Sequence, residues 1–318
     1  MPASVHQPVL LHEAVDLLAI QRDDIVLDAT LGGAGHAQEI VRALGPKGTF
    51  IGFDLDADAI ARAEIALAGA KPAVHLVEAN FRNLAKELED RGIRNISKGL
   101  FDLGWSSYQL DSGRGFSIHA DEPLMMTFSK SGGAVTAAIA VNTWKEESLA
   151  DIIYGFGEER YSRRIARAIV ERREKKPFTT ANDLAEVISE SVPASYRHGR
   201  LHPATRTFQA LRIAVNDELG ALTQGILSAF DMISEGGRLA VITFHSVEDR
   251  AVKQLFARLE REGKGKRVTK KPVVAGAEEL ATNRRARSAK LRVFEKISYD
   301  KETPKNKQIQ ALDTSGHL

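Results

Sequence analysis

The chain has 318 residues, of which 43% are hydrophobic and 27% charged, and its formal net charge at pH 7 is +2. These proportions are typical of a globular protein with one large domain or two moderate ones. Because there is no cysteine, disulfides, thiolate metal sites, iron–sulfur clusters and cysteine nucleophiles are excluded. No apolar run approaches the ~20 residues of a membrane span, and no signal pattern begins the chain, so we expect a cytoplasmic protein.

The first predicted strand leads into a glycine-rich loop. The run IVLDATLGGAGH, 25–36, begins with apolar residues and continues through Gly32 and Gly35 toward a helix. Glycines allow the backbone to approach a ligand closely, and a strand, glycine loop and helix in this order are typical of nucleotide sites. A second strand, 50–53, ends in Asp54, about 20 residues later, where such units place a ribose-binding acid.

The residues around this loop favour S-adenosylmethionine (SAM) over NAD. The dinucleotide pattern G-x-G-x-x-G, aligned on Gly33 and Gly35, needs a third glycine where the chain has Gln38. Asp28, just ahead of the loop, would repel a pyrophosphate but suits the ammonium and sulfonium groups of SAM. Other nucleotides stay open, since Asp28 could instead only cap the following helix. Radical SAM chemistry is excluded, because it needs an iron–sulfur cluster held by cysteines and the chain has none.

Alternating strands and helices as far as residue 103 predict an α/β fold with a parallel sheet. We predict helices at 36–44, from Asp56 to about Ala68, and at 84–91, and further strands at 74–77 and 100–103. Ligands bind at the carboxyl ends of parallel strands. We therefore expect four residues at such ends to lie together: Asp28, Asp54, Phe81 and Asp102.

After residue 111 the alternation stops, which predicts an inserted domain. The predicted organisation is a sheet domain over 1–111, a helical insert over 112–202, the second part of the sheet domain over 203–298, and a disordered tail over 299–318. Helices are predicted at 146–153, 158–173 and 183–191, and a helical region from Pro203 to Ile233 is expected to break near Asn216 and Gly220. A turn at Gly236-Gly237, a strand over 239–244, a helix over 251–259 and a strand over 291–297 complete the chain.

The segment FDLGWSSYQLD, 101–111, places an acid and hydroxyls beside the expected methyl donor. A carboxylate that accepts a hydrogen bond from an exocyclic amine can direct the lone pair of that amine at the donor carbon. Asp102 is the candidate for this role or for a SAM contact, with Ser106 as a nearby polar acceptor; alternatively, Asp102 only satisfies backbone donors in a turn. Trp105 and Tyr108 could stack on an extruded base, or pack as part of a lid.

Two basic segments suggest a nucleic-acid partner. Residues 253–296 contain 14 Lys and Arg against 5 Asp and Glu, and residues 160–176 contain 8 against 2. Such blocks on a nearly neutral chain are either solvated faces or phosphate-binding surfaces. No metal-ligand spacing is present among His6, His12, His36 and His245, so we expect no metal, and His245 is interpreted as structural.

Seven segments, in order from about His6 to Ile297, carry the motifs of one family. They are DATLGGAGH (28–36), FDLGWSSYQLD (101–111), RGFS (114–117), GFGEERYSRRIARAIV (155–170), HPATRTFQALRIAVNDEL (202–219), GGRLAVITFHSVEDR (236–250) and NRRARSAKLR (283–292). The chain resembles the bacterial 16S ribosomal RNA cytosine-N4 methyltransferases, also called MraW or RsmH. The resemblance implies a Rossmann-like, SAM-dependent domain interrupted by a small helical domain. It also implies methylation of N4 of one cytosine in the decoding region of the small ribosomal subunit.

The resemblance also implies a set of SAM-binding residues. They are Ala34, Gly35, His36, Asp54, Phe81, Asp102 and Gln109. By the same resemblance, Phe81 flanks the adenine and Gln109 helps to close the pocket.

The chain departs from the family pattern at a few positions. Trp105 and Tyr108 replace the usual Val and Pro, and Ala34 stands where many members have a glycine. The common PLDMRMD reads PLMMTFS over 123–129, a change that bears on how the insert docks or meets RNA.

Two other functions compete with rRNA methylation. One is an amino-methyltransferase for another nucleic acid, although the D/N-P-P-aromatic motif of the DNA enzymes is absent from the sequence. The other is a non-catalytic SAM-binding factor for ribosome assembly. The sequence leaves the oligomeric state open, with a homodimer as one option.

Overall fold

A seven-stranded sheet organises the larger part of the computed structural model, which describes residues 7–103, 113–128 and 135–298. The strands are β1 Ile25–Asp28, β2 Thr49–Asp54, β3 Ala73–Glu78, β4 Ile96–Asp102, β5 Ile233–Thr243, β6 Gly265–Arg267 and β7 Lys290–Lys296. Their order across the sheet is β3-β2-β1-β4-β5-β7-β6. Strands β1 to β5 pair in parallel, and β7 runs antiparallel to β5 and β6. The predicted parallel α/β sheet is confirmed.

Helices cover both faces of the sheet, and further helices form a cluster of their own. The α-helices of the described residues are α1 Leu11–Leu18, α2 Gly35–Ala43, α3 Ala57–Ala66, α4 Leu84–Glu89, α5 Ala137–Thr143, α6 Glu146–Gly155, α7 Ser162–Arg173, α8 Ala181–Ser191, α9 Ala194–Arg197, α10 Thr205–Asn216, α11 Glu218–Met232, α12 Ser246–Arg261 and α13 Ala277–Thr282. Successive strand residues point to opposite faces, so Val26 lies in one buried cluster and Leu27 in another. Burial on both faces explains why the central strands read as continuous apolar runs.

A separate buried cluster joins α5, α6, α7, α8 and α10, which we call the helical unit. Its core includes Leu149, Ile169 and Leu184, together with Phe208 and Leu211 of α10. The hydrophobic cluster of the helical unit therefore continues past residue 202.

Several predicted boundaries differ from the structure. The helix predicted from 158 begins at Ser162, because Glu158 has a left-handed φ of 51°. The break near Asn216 is confirmed at Asp217, with a φ of 46°, but Gly220 lies inside α11. The strand predicted to start at 239 begins at Ile233, so Gly236 and Gly237 lie inside β5, where Gly236 has a left-handed φ of 73°. Pairing between β4 and β5 is irregular there, since the register shifts between Ile96 and Lys98.

Over the described ranges, every helix is too short or too polar to traverse a lipid bilayer. The segment 299–318, predicted to be disordered, lies outside the described residues.

Candidate functional site

A pocket opens at the carboxyl ends of β1, β2 and β4, where the sequence predicts a ligand site. Its lining residues come from the glycine loop, the strand ends, the junction of α10 and α11, the first turn of α12 and the segment that ends at Phe128. They include Gly32, Gly35, His36, Asp54, Phe81, Asp102, Phe128, Asn216, Glu218 and Glu248. The structure thus brings most of the predicted site residues to one cavity. Asp28 and Ala34 lie behind its wall, 1% and 0% exposed.

The glycine loop is shaped by close backbone contacts. Gly32 has a φ of +50° and Ala34 a φ of 61°, both in the left-handed region that favours glycine. A Cβ on Gly35 would lie 2.8 Å from Cγ of Pro8, so this position has no room for a side chain. The left-handed conformation of Ala34 gives a physical reason for the glycine that many relatives are expected to carry there.

Asp54 is held at the end of β2 by backbone donors. Its Oδ2 accepts a hydrogen bond from the N–H of Gly32 at 2.9 Å, and its Oδ1 accepts one from the N–H of Asp56 at 2.9 Å. Burial raises the pKa of Asp54, while these two bonds oppose the shift. Each carboxylate oxygen keeps a second lone pair, which is what a ribose diol needs as an acceptor.

Asp28, His36 and Asp102 form a buried polar cluster beside the loop. Nδ1 of His36 lies 3.4 Å from Oδ2 of Asp102, and its Nε2 lies 3.1 Å from the carbonyl oxygen of Val9. Oδ1 of Asp28 accepts from the N–H of Thr30 at 3.0 Å, whereas its Oδ2 has no hydrogen-bond partner in the part of the chain that the structure describes. Burial raises the pKa of Asp28 to about 6.

Phe81 forms a half-buried aromatic wall of the pocket. Its ring meets the edge of Phe101 at a centroid distance of 5.7 Å and an angle of 82°. A Cβ on Gly225 of α11 would lie 2.6 Å from Cδ2 of Phe81. Glycine at 225 therefore lets α11 approach close enough to fix this ring.

A second wall of the pocket, formed by Glu218 and Glu248, belongs to a charged network that sequence reasoning missed. Arg212 donates to both oxygens of Glu218, at 2.6 and 2.8 Å, and its Nη2 lies 3.3 Å from Nε2 of His245. Nε2 of His245 is also 3.0 Å from Oε1 of Glu248. Burial raises the pKa of Glu218, while Arg212 opposes the shift.

This network contains a group of potential metal ligands. Ligand atoms of Glu218, His245 and Glu248 lie within 4.8 Å of one another. The guanidinium of Arg212 already lies against Glu218 and His245, so these groups have a cation beside them. His245 and Glu248 also form the capping box of α12, which supports the structural interpretation of His245.

Asn216 connects the atypical segment 123–128 to α10. Its Oδ1 accepts from the N–H of Phe128 at 2.9 Å, and its Nδ2 donates to the carbonyl oxygen of Met126 at 2.7 Å. Met125 is 39% exposed, whereas Thr127 is 3% exposed. Met125 and Thr127, two of the positions that differ from the family pattern, therefore lie in different environments, and Phe128, a third, reaches the pocket.

Part of the predicted site cannot be placed. Trp105, Ser106, Tyr108 and Gln109 lie outside the described residues, so their roles stay predictions.

The pocket is acidic and suits a cationic nucleotide. Asp54, Asp102, Glu218 and Glu248 line it, and Asp28 is buried behind the glycine loop. Asp54 presents acceptors for a ribose, and Phe81 presents an aromatic wall for an adenine. The buried Oδ2 of Asp28, which has no hydrogen-bond partner among the described residues, provides negative charge behind the loop. SAM carries a sulfonium and an ammonium group and no phosphate, so these residues fit it.

The fold and the pocket together define a Rossmann-like, SAM-dependent methyltransferase. The chain belongs to the MraW methylase family, whose model matches residues 3–297. The predicted family is thereby confirmed.

Two curated relatives are similar along nearly their whole length. A "Ribosomal RNA small subunit methyltransferase H" from Clostridioides difficile (strain 630) is 44% identical over 308 residues, covering 92% of this chain and 99% of that protein. The protein of the same name from Symbiobacterium thermophilum is 45% identical over 313 residues, covering 93% and 98%. Among solved structures, an rRNA methylase from Streptococcus thermophilus aligns with a TM-score of 0.44 and 13% identity over 93% of this chain and 100% of that one.

Proposed function

We propose that this protein transfers a methyl group from SAM to the exocyclic N4 of a cytosine in the decoding region of 16S ribosomal RNA. The observation that carries the proposal is the position of Asp102. It ends β4 and lines the same pocket as the glycine loop and as Asn216, Glu218 and Glu248. The small-subunit rRNA named for both curated relatives supports the substrate class. Such a substrate also places the activity in the cytoplasm.

The chemistry of the site favours nitrogen over carbon as the methyl acceptor. Methylation at C5 of a pyrimidine through a covalent adduct needs a cysteine nucleophile, and the chain has none. An amine needs only orientation and a place for its proton. The carboxylate of Asp102 can accept an amine N–H, while its own backbone N–H is fixed by a 2.7 Å bond to Oγ1 of Thr30.

The acceptor nucleotide would enter from the side of the second wall. Phe128 offers an apolar surface for a base there. Glu218 and Glu248 offer acceptors for the amino group of cytosine, and Arg212 holds Glu218 in place through two hydrogen bonds. We assign Ser106 a supporting role as a second polar acceptor and Gln109 a role in closing the SAM side.

Only part of each basic segment is available for RNA. In 160–176, Arg172 bonds to Asp183, and Arg173 donates to the carbonyls of Val141 and Trp144. Other basic residues are exposed: Arg163, Arg164, Arg167, Lys175 and Lys176 in this segment, and Lys253, Lys270, Lys271, Arg284 and Arg287 in the second. We propose that these exposed groups contact phosphates, which makes binding steeply dependent on salt.

The test uses purified protein, radiolabelled SAM and small ribosomal subunits from cells that lack the family enzyme. We expect label in the small-subunit rRNA with the wild type, loss of label with Asp102→Asn, and retention with the exposed control Asp90→Asn. SAM binding without any incorporation would refute the proposed activity and favour a non-catalytic factor. Comparing whole subunits with protein-free rRNA identifies which of them is the substrate.

A further inference from the structure

The hydrogen bonds of His36 define its tautomer. Its Nε2 lies 3.1 Å from the carbonyl oxygen of Val9, and because a carbonyl only accepts, Nε2 carries a hydrogen. In a neutral imidazole Nδ1 then has a bare lone pair. That lone pair lies 3.4 Å from Oδ2 of Asp102, which also presents lone pairs when it is ionised. The contact is attractive only when a proton lies between the two atoms.

The surrounding charges favour uptake of this proton. Asp28 on β1 and Glu279 on α13 both act on His36 electrostatically, and Asp54 and Asp102 act on Asp28. Burial is the largest influence on the pKa of His36 and lowers that pKa overall, while the charges of both acids oppose the shift. Without the shared proton, the pair of His36 and Asp102 carries one negative charge next to Asp28. With the proton the pair is neutral overall, which a buried site with several carboxylates tolerates better.

We infer that His36 and Asp102 form a proton-accepting pair, which takes up the proton released when the target amine is methylated. The inference rests on the proposed amine methylation and names the proton acceptor for it. Asp102 lines the pocket and is the group that meets the amine. His36, with a side chain only 7% exposed, acts through Asp102 and is a positioning residue.

The balance of the step is simple. The donor supplies an electrophilic methyl group. The lone pair of the amine forms the new N–C bond, the electrons of the broken S–C bond stay on sulfur, and the nitrogen then holds one proton too many. Oδ2 of Asp102 takes this proton and shares it with Nδ1 of His36. The positive charge lost from sulfur is thereby regained at the pair, so the total charge of the site does not change.

This arrangement predicts proton release when SAM binds to the free protein. The sulfonium brings a positive charge to the acidic pocket, which disfavours the protonated pair. S-adenosylhomocysteine (SAH) lacks that charge and should release less. Isothermal titration calorimetry at one pH, in two buffers with different ionisation enthalpies, measures the number of protons exchanged. We expect release on the order of one proton per SAM bound and a clearly smaller release for SAH.

Two variants test the assignment. In His36→Gln the side-chain amide can still donate to the Val9 carbonyl, but the titrating Nδ1 is gone; Asp102→Asn removes the other partner. We expect the number of protons released per SAM bound to fall close to zero in both variants, whatever SAM affinity each retains, while the control His75→Gln, an exposed residue on β3, behaves as the wild type. A wild-type heat of binding that does not depend on the buffer, equal release for SAM and SAH, or release that persists in His36→Gln would each overturn the inference.

A measurement on the wild type guards against variants that do not fold. In ¹⁵N-histidine-labelled protein, the Nδ1 signal of His36 should move toward that of a bare nitrogen when SAM is added. An unchanged signal at saturating SAM overturns the assignment. The calorimetry and the NMR use no RNA. A negative result in them would overturn the proton-accepting pair, whereas a negative result with ribosomal subunits would overturn the proposed methylation.

Discussion

Replacing Asp28 with asparagine is expected to stabilise the protein at neutral pH. Asp28 is 1% exposed, and one of its oxygens has no partner among the described residues. Burial raises its pKa from 3.8 to about 6. Because the pKa of Asp28 is higher in the folded state than in the unfolded state, ionising this carboxyl destabilises the fold. The destabilisation is absent below the unfolded pKa of 3.8, grows as the pH rises, and is complete above the folded pKa of about 6. About two pKa units at ~1.4 kcal/mol each amount to about 3 kcal/mol.

The size of the effect should therefore depend on pH. Asp28→Asn should gain about 3 kcal/mol in the free energy of unfolding at pH 8, about half of that at pH 5, and almost nothing below pH 4. The shape of the side chain is kept, and Oδ1 can still accept from Thr30. Urea denaturation of ligand-free wild type and variant at several pH values measures the difference.

Asp23→Asn is the matched control for this experiment. Asp23 is exposed and lies shortly before β1, so its replacement should leave the difference in unfolding free energy small and flat with pH. A gain for Asp28→Asn that does not change between pH 5 and pH 8, or a loss that grows with pH, would refute the reasoning. The stabilised variant should also bind SAM more weakly, because a negative charge behind the loop is removed.

Three further substitutions test the walls of the pocket. Asp54→Ala should weaken SAM binding by ~1–3 kcal/mol in calorimetry, since it removes acceptors for the ribose; unchanged affinity would exclude the assigned role. Gly225→Ala should lower SAM affinity several-fold, because its Cβ would lie 2.6 Å from the ring of Phe81; a thermal melt separates this effect from unfolding. Arg212→Met should lower the free energy of unfolding by ~3–5 kcal/mol, because it removes the guanidinium that donates two hydrogen bonds to the Glu218 carboxylate. Denaturant titrations should show a larger loss of unfolding free energy at pH 8 than at pH 5, because burial raises the pKa of Glu218 and so favours its neutral form at the lower pH. Equal losses at the two pH values would contradict this prediction.

The exposed arginines of α7 provide a test of RNA binding. Replacing Arg163, Arg164 and Arg167 together with alanine should weaken binding to small-subunit rRNA and reduce the salt slope, with SAM affinity unchanged. Lys47, exposed just before β2 at the opposite end of the sheet, is the control position. An unchanged salt slope in the triple variant would exclude this face from the RNA contact.

The side of the pocket formed by the glycine loop and the strand ends could be predicted because its residues follow from local rules. Asp28, Asp54 and Asp102 each end a strand, and the alternation of strands and helices places parallel strand ends at one edge. The glycine loop between β1 and α2 is short and continuous in sequence. Each of these features depends on a few neighbouring residues, which makes them readable before any tertiary structure is known.

The second wall could not be predicted in the same way. Arg212 and Glu218 lie six residues apart, on either side of the turn between α10 and α11, whereas His245, just before α12, reaches Arg212 only through tertiary packing. The sequence carries one local indication of this wall. Glu248 follows His245 by three residues, which is the spacing of a capping box at the start of a helix. The break predicted at Gly220 failed for a related reason. Asp217 alone makes the turn between α10 and α11, so the glycine can continue the helix.

The most direct measurement of the central claim is the identity of the methylated nucleoside. Small-subunit rRNA methylated by the purified protein would be digested with nucleases and analysed by mass spectrometry, and fragments would locate the site. We predict N4-methylcytidine at a single position in the decoding region, absent from the Asp102→Asn reaction. 5-Methylcytidine, a methylated base other than cytosine, or label spread over many sites would contradict the account.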